Sequence, residues 1–106
     1  MSLAVEVYKV TKRFPADEKF ALTDQIRRAI SSVPANIAEG FGRHGIKDKL
    51  QFYNFAFGSL LETKSHLYLA NKLGYIDEEN SQMLLDQLIH AQKELSAFIR
   101  ETRKYA

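Results

Sequence analysis

The sequence predicts an all-α protein, an antiparallel up-down-up-down four-helix bundle, on three observations. Apolar residues recur at three- and four-residue steps along four separate segments, the connections between those segments are short, and no stretch alternates in the manner of a strand. The chain of 106 residues fits one domain, 1–106. It is long enough to bury a core, and small enough for its stability to gain from self-association.

The first helix is expected from about Ser2 to Phe14, with Leu3, Val7, Val10 and Phe14 on one face and Glu6, Lys9, Lys12 and Arg13 turned away. Pro15 ends it, and Ala16 to Phe20 form a polar connection. Thr23 is the expected N-cap of the second helix, with Asp24 in its first turn. Leu22, Ile26, Ala29, Ile30 and Val33 share a stripe that Ile37, Gly40 and Phe41 continue past Pro34 in the same phase. The proline therefore kinks this helix rather than ending it, and Ser31 and Ser32 are placed to take up the freed backbone groups. Gly40, Gly42 and Gly45 surround Arg43 and His44 in a chain reversal that lacks the lysine and hydroxyl of a phosphate-binding loop. The third helix is expected from about Lys47 to Leu73, closed by Gly74 with Tyr75. Asp77, Glu78 and Glu79 open the fourth, which carries Leu84, Leu88, Ala91, Leu95, Phe98, Ile99 and Thr102 on one stripe and ends near Lys104.

The third helix has more apolar surface than one bundle needs. Leu50, Tyr53, Phe57, Leu60, Leu61, Leu67 and Tyr68 make one face; Phe52, Ala56, Thr63 and Ala70 widen it; Phe55 and Leu73 carry it further round. At about 100° per residue the arc covers roughly two-thirds of the circumference, and only the side bearing Gln51, Asn54, Gly58, Glu62 and Ser65 reads as polar. Two readings are open. Either this helix is simply the most buried, with Tyr53 and Tyr68 exposing their hydroxyls, or the surplus meets another copy of the chain, with Phe52, Phe55, Leu73, Met83, Leu85 and Ile89 at the interface. Gly58 in mid-helix costs about 1 kcal/mol relative to alanine and is expected to mark a kink or the close approach of another helix. Asn36 and Glu39 are expected to bond freed backbone or polar groups near the proline, Ser59 among them.

The residue inventory argues against catalysis. The chain has no cysteine, so disulfides, thiolate metal sites and a cysteine nucleophile are excluded, and no serine sits in a strained elbow motif. Di-iron bundles use Glu-x-x-His on two helices, whereas Glu62/His66 and His90/Glu94 are spaced by four and read as surface neighbours. A di-metal carboxylate oxidase is thus the minor alternative, and no catalytic residue, metal or cofactor is expected. With no basic leader and no apolar run near the ~20 residues that span a bilayer, the chain is expected in the cytoplasm and not in a membrane.

The net charge of +2 is small, but the antiparallel topology sorts it. One end is expected to gather the start of the first helix, the turn between the second and third, and the end of the fourth. It brings Arg43, Lys47, Lys49, Arg100, Arg103 and Lys104 together with His44, opposed mainly by Glu6, Glu39, Asp48 and Glu101. The opposite end carries Asp17, Glu18, Asp24, Asp77, Glu78 and Glu79, diluted by Lys12, Arg13, Lys19, Arg27, Arg28 and Lys72. The basic residues are the candidate contacts for RNA or DNA, through phosphate rather than base. The competing reading is a protein-interaction scaffold whose charges serve solubility alone.

The stretch Ser32-Val33-Pro34-Ala35-Asn36-Ile37-Ala38-Glu39-Gly40-Phe41-Gly42, together with Phe57-Gly58-Ser59-Leu60-Leu61-Glu62, resembles the signature of the bacterial four helix bundle protein family, also called the 23S rRNA intervening-sequence or S23 family. The likeness spans almost the whole chain. Pro34, Asn36, Glu39, Gly40, Gly58, Ser59 and Glu62 fall on the family pattern, while Phe55-Ala56-Phe57 is more aromatic than it. The resemblance implies a closed homopentamer. It also implies kinship with the accessory protein of diversity-generating retroelements, and hence a nucleic-acid-processing protein as partner.

Overall fold

Four helices, α1 (Ser2–Thr11), α2 (Leu22–Gly42), α3 (Ile46–Lys72) and α4 (Glu78–Arg103), make up the computed structural model, which describes residues 2–106. Each helix packs on the next and α4 packs on α1, with the broadest contact between α2 and α3, as an up-down-up-down bundle requires. Leu3, Val7 and Val10 from α1, Ile26, Ile30 and Val33 from α2, Tyr53, Leu60 and Leu67 from α3, and Leu84, Leu88, Leu95 and Ile99 from α4 form one core. Among the described residues no helix is long and apolar enough to cross a membrane.

The helix ends differ from the sequence expectation where side chains compete with the backbone. α1 stops at Thr11, not Phe14. The Thr11 hydroxyl donates to the Val7 carbonyl, and the chain tightens into turn-type bonds from Arg13 to Val10 and from Phe14 to Thr11 before Pro15. Thr23 is not an N-cap: it is buried one residue inside α2, whose cap position is Ala21. The open donor at the start of α2 is met instead by Glu18, in a single 3-10 turn (Ala16–Glu18), whose Oε1 accepts from the Leu22 amide at 3.4 Å. α3 starts at Ile46 and gives way at Leu73 to Gly74, whose φ of +80° is open to glycine at little cost. The Tyr75 amide then reaches the Ala70 carbonyl at 2.9 Å, and the Gly74 amide reaches that of Asn71 at 3.0 Å. Asp77 caps α4 by accepting from the Asn80 amide at 2.7 Å.

α2 runs unbroken through Pro34. The neighbouring hydroxyls serve carbonyls other than that of Ile30: Ser31 donates to Arg27 and Ser32 to Ala29, while the Asn36 amide donates to the Ser32 carbonyl at 2.8 Å. Ser32 and Ser59 join their hydroxyls across the α2–α3 seam. Ser59 therefore partners Ser32 rather than Asn36, and Glu39 faces water, in an ion pair with Arg43.

At Gly40 the ring of Tyr53 from α3 packs directly against the α2 backbone. A Cβ at this position would run into the ring of Tyr53, with Cδ1 at 2.9 Å, and Tyr53 is buried to 1% exposure between α2 and α4. Phe98 stacks edge-on to Tyr53 at 4.9 Å between centroids, and Phe41 lies edge-on to both. One of the two readings of α3 has Tyr53 exposing its hydroxyl; its ring is enclosed by Gly40, Phe41 and Phe98, and the residue as a whole is 1% exposed.

Helix length decides the rest of the shape. Ten residues of α1 span about 15 Å, whereas the 21 of α2 span about 31 Å. The contacts of Arg27 with Thr11 and of Tyr8 with Ser31 set α1 beside the first half of α2. Its start, Ser2 and Leu3, lies against Asp86 to Glu94 midway along α4. The expectation that helix one begins at the basic end is therefore wrong, and Glu6 is not part of that end.

Gly40→Ala is expected to destabilise the fold by about 1–3 kcal/mol, as over-packing of a closed site does, measured as a lower denaturant midpoint. Burial raises the pKa of Tyr53, and the 2.8 Å hydrogen bond to Glu18 raises that of Tyr75. The stability tied to these neutral phenols is complete below their unfolded value near 10 and is lost as pH rises through the folded values. Ultraviolet titration should show two of the five tyrosines ionising late, one of them removed by Tyr75→Phe.

Candidate functional site

The turn between α2 and α3 and the end of α4 meet at one end of the bundle, as the contacts of Phe41 and Tyr53 with Phe98 require. Arg43, Lys47 and Lys49 come from the first side, and Arg100, Arg103 and Lys104 from the second. The six candidates do not all have free charge. Lys49 Nζ donates to the carbonyls of Gly40 at 3.2 Å and Phe41 at 3.0 Å, closing the C-terminus of α2. Arg43 pairs with Glu39 at 3.4 Å and lies over the ring of Phe52 at 4.7 Å. Lys104 pairs with Glu101 at 3.0 Å. Lys47, Arg100 and Arg103 are exposed and form no ion pair among the described residues.

The structural role of Lys49 was not legible from its position after a glycine-rich turn. A lysine one turn into a helix can reach back over the preceding reversal to the previous helix's last carbonyls. Beside the turn is a shallow hollow of about 600 Å³ lined by Ala35, Ala38, Glu39, Gly42, Arg43, His44, Gly45 and Asp48. Arg43 and Glu39 pair within this hollow and Asp48 adds a further carboxylate, so a phosphate backbone is better met by the unpaired cations on the open rim.

Metal-ligating side chains do not converge: among the described residues no three of His, Asp or Glu approach as a ligand set. His90 and Glu94 pair at 3.3 Å on the surface of α4, as the spacing of four implies.

The surplus apolar surface of α3 divides differently from the sequence expectation. Tyr53, Ala56, Leu60, Thr63, Leu67 and Ala70 are buried, whereas Leu61 and Tyr68, expected on the core face, are about half exposed along with Phe55, Leu69 and Leu73. The burial stripe keeps to positions three and four apart, and Leu61 and Tyr68 fall one step beyond it. Of the remaining interface candidates, Ile89 is exposed and Phe52 and Met83 are half-buried. Leu85 is 9% exposed, packed within the single chain, and so is not available to a partner. Gly58 lies in the middle of the exposed face, and a Cβ added there would meet nothing within 4 Å. The close approach expected at this glycine does not occur within one chain.

A second apolar surface was not anticipated. Between α2 and α4, beyond the start of α1, lies a groove of about 530 Å³ lined by Val33, Pro34, Ile37, Ala38 and Phe41 on one side and Ala91, Glu94, Leu95 and Phe98 on the other, with Leu60 as its floor. Phe41 and Phe98 were read as stripe residues of the core; they are 60% and 38% exposed because no fourth helix covers them.

The sequence profile of the 23S rRNA-intervening sequence protein family matches residues 1–97. The fold is similar to the crystal structure of a protein of unknown function from the S23 ribosomal protein family of Bacteroides thetaiotaomicron, with a TM-score of 0.85, 26% sequence identity and 92% of each chain covered. No curated protein matches the chain.

Proposed function

The chain belongs to the 23S rRNA-intervening sequence protein family, and from that premise we propose that it is a non-enzymatic module that assembles with copies of itself, as a pentamer, and holds RNA or DNA by the phosphate backbone at its basic end. The observation that carries this reading is the sorting of charge. Lys47, Arg100 and Arg103 are exposed without ion pairs where α4 ends and α3 begins, and the Asp77, Glu78 and Glu79 cluster lies at the far end of the bundle. With Glu6 displaced to mid-bundle, the basic end is opposed mainly by Glu39, Asp48 and Glu101, and two of these are already engaged by Arg43 and Lys104.

A ring of copies repeats the three free cations around one rim, which turns a weak field into one that attracts a polyanion. Among the basic residues aromatic groups are few, with Phe41 and Tyr105 nearby, so recognition is of backbone and not of base. A nucleic-acid-processing protein is the natural third component, delivered to the strand that the rim holds. The scaffold reading differs in a single respect: the rim touches no nucleic acid.

Fluorescence anisotropy with single- and double-stranded RNA and DNA separates the two. Sequence-tolerant binding is expected at ~50 mM salt and should weaken steeply by ~200 mM, since each phosphate neutralised adds about 0.9 to the slope of log affinity against log salt. The triple variant Lys47→Gln, Arg100→Gln, Arg103→Gln should flatten that slope by about 2–3 without changing the thermal midpoint. Absence of binding by the unaltered protein at the lower salt makes the scaffold reading the correct one.

A further inference from the structure

We propose that the nucleic acid held at the basic end is single-stranded, with the ring of Phe41 and the guanidinium plane of Arg43 as platforms on which unpaired bases stack. The inference rests on the nucleic-acid reading above and adds the form of strand that the end takes. Stacking reads no base identity, because every base has a π-face, so the tolerance of sequence is kept.

Both platforms are exposed and fixed in place. Phe41, in the last turn of α2, is 60% exposed, yet Tyr53 and Phe98 hold its ring in edge-to-face contact at 6.0 and 5.7 Å between centroids. A ring already held binds without a further ordering cost. Two residues on, the Arg43 guanidinium lies over Phe52 at 4.7 Å and meets Glu39 at its edge at 3.4 Å, while the side chain stays 46% exposed. The contacts that occupy the charge of Arg43 are thus the ones that fix its plane. A planar cation with one face on a ring stacks on a base with the other.

The two platforms lie on opposite flanks of the α2 end, about 200° apart by helix geometry, so each takes a separate base. Gly42 stands between them, and a Cβ added there would meet nothing within 4 Å, so a strand crosses the end of α2 unobstructed. Lys47, exposed and without an ion pair, follows in the first turn of α3 and supplies charge for the linking phosphates. At the end of α4 the same interleaving recurs, with Tyr105 at 72% exposure next to Arg103 and Lys104. A duplex satisfies the phosphate contacts equally well, but its bases stay within their own stack and leave both platforms unused.

Fluorescence anisotropy at ~50 mM salt compares an oligothymidine strand with a strand of abasic spacers of equal length, which carries the same phosphates and no bases. The thymidine strand is expected to bind at least about tenfold more tightly, with equal salt slopes for the two. Equal affinities overturn stacking and leave phosphate binding intact, whereas no binding of either strand overturns the nucleic-acid reading and this inference with it. Unlabelled duplex at matched phosphate concentration should fail to displace the thymidine strand; displacement overturns the assignment to single strands. The chain has no tryptophan, so Phe41→Trp places a lone indole at the first platform. Its emission should be quenched by the thymidine strand and not by the abasic one, and quenching by both or by neither overturns the role of Phe41. Arg43→Lys keeps the charge and loses the plane. It should narrow the gap between the two strands by about threefold or more with the abasic affinity unchanged, and an unchanged gap overturns the role of Arg43.

Discussion

Ten residues of α1 lie against helices of 21 to 27, and most of what is unusual about the molecule descends from that mismatch. A bundle helix rises about 1.5 Å per residue, so α1 can shield only one half of the channel between α2 and α4. Within that half the core is closed, with Val7, Ile26 and Leu84 at 0% exposure. Beyond it the same stripes of α2 and α4 continue, but Phe41, Ala91 and Phe98 meet solvent. One short helix thereby sets the core boundary, the position of the groove and the separation of Glu6 from the basic end.

The α2–α3 pair is the part of the molecule that compensates. Gly40 admits the Tyr53 ring, Ser32 and Ser59 close the seam, and Lys49 caps α2 from the neighbouring helix. The Gly40–Tyr53 and Lys49 contacts sit in the half that α1 leaves open, where three helices must hold together without a fourth. No buried side-chain nitrogen or oxygen among the described residues is left without a hydrogen bond, so the polar groups of this seam are not a liability. The residues of the Pro34 to Gly42 stretch thus have largely structural occupations, which fits a family signature that specifies an architecture.

The four helices were legible because periodicity reports burial directly, and the glycine and acidic caps at Gly74 and Asp77 were legible because their chemistry is local. The end of α1 and the start of α2 were misread because a threonine hydroxyl and a carboxylate from the 3-10 turn took over backbone groups. Sequence alone assigned six basic residues to the end where the α2–α3 turn and the last turn of α4 lie. It could not see that Lys49 was spent on α2 carbonyls or that Arg43 was held by Glu39 and Phe52, since both depend on how the turn folds back. The groove was invisible for another reason: stripes on α2 and α4 predict a covering helix, and only the relative lengths and offset of the helices show where the cover ends.

The modest hold on α1 also shapes how the molecule breathes. Three buried aliphatic side chains, the Tyr8–Ser31 contact and the Arg27–Thr11 bond fasten it, whereas α2, α3 and α4 share the greater part of the core. Native proteins open in cooperative units ordered by such differences, and the least-anchored unit opens first. Amide hydrogen exchange in α1 should accordingly run well ahead of that in the α2–α3 hairpin. Each such opening lengthens the exposed channel between α2 and α4 from half of the bundle to the whole of it. Undocking of α1 would thus turn a short vacancy into a long one of the same cross-section, at a cost set by the docking free energy of ten residues.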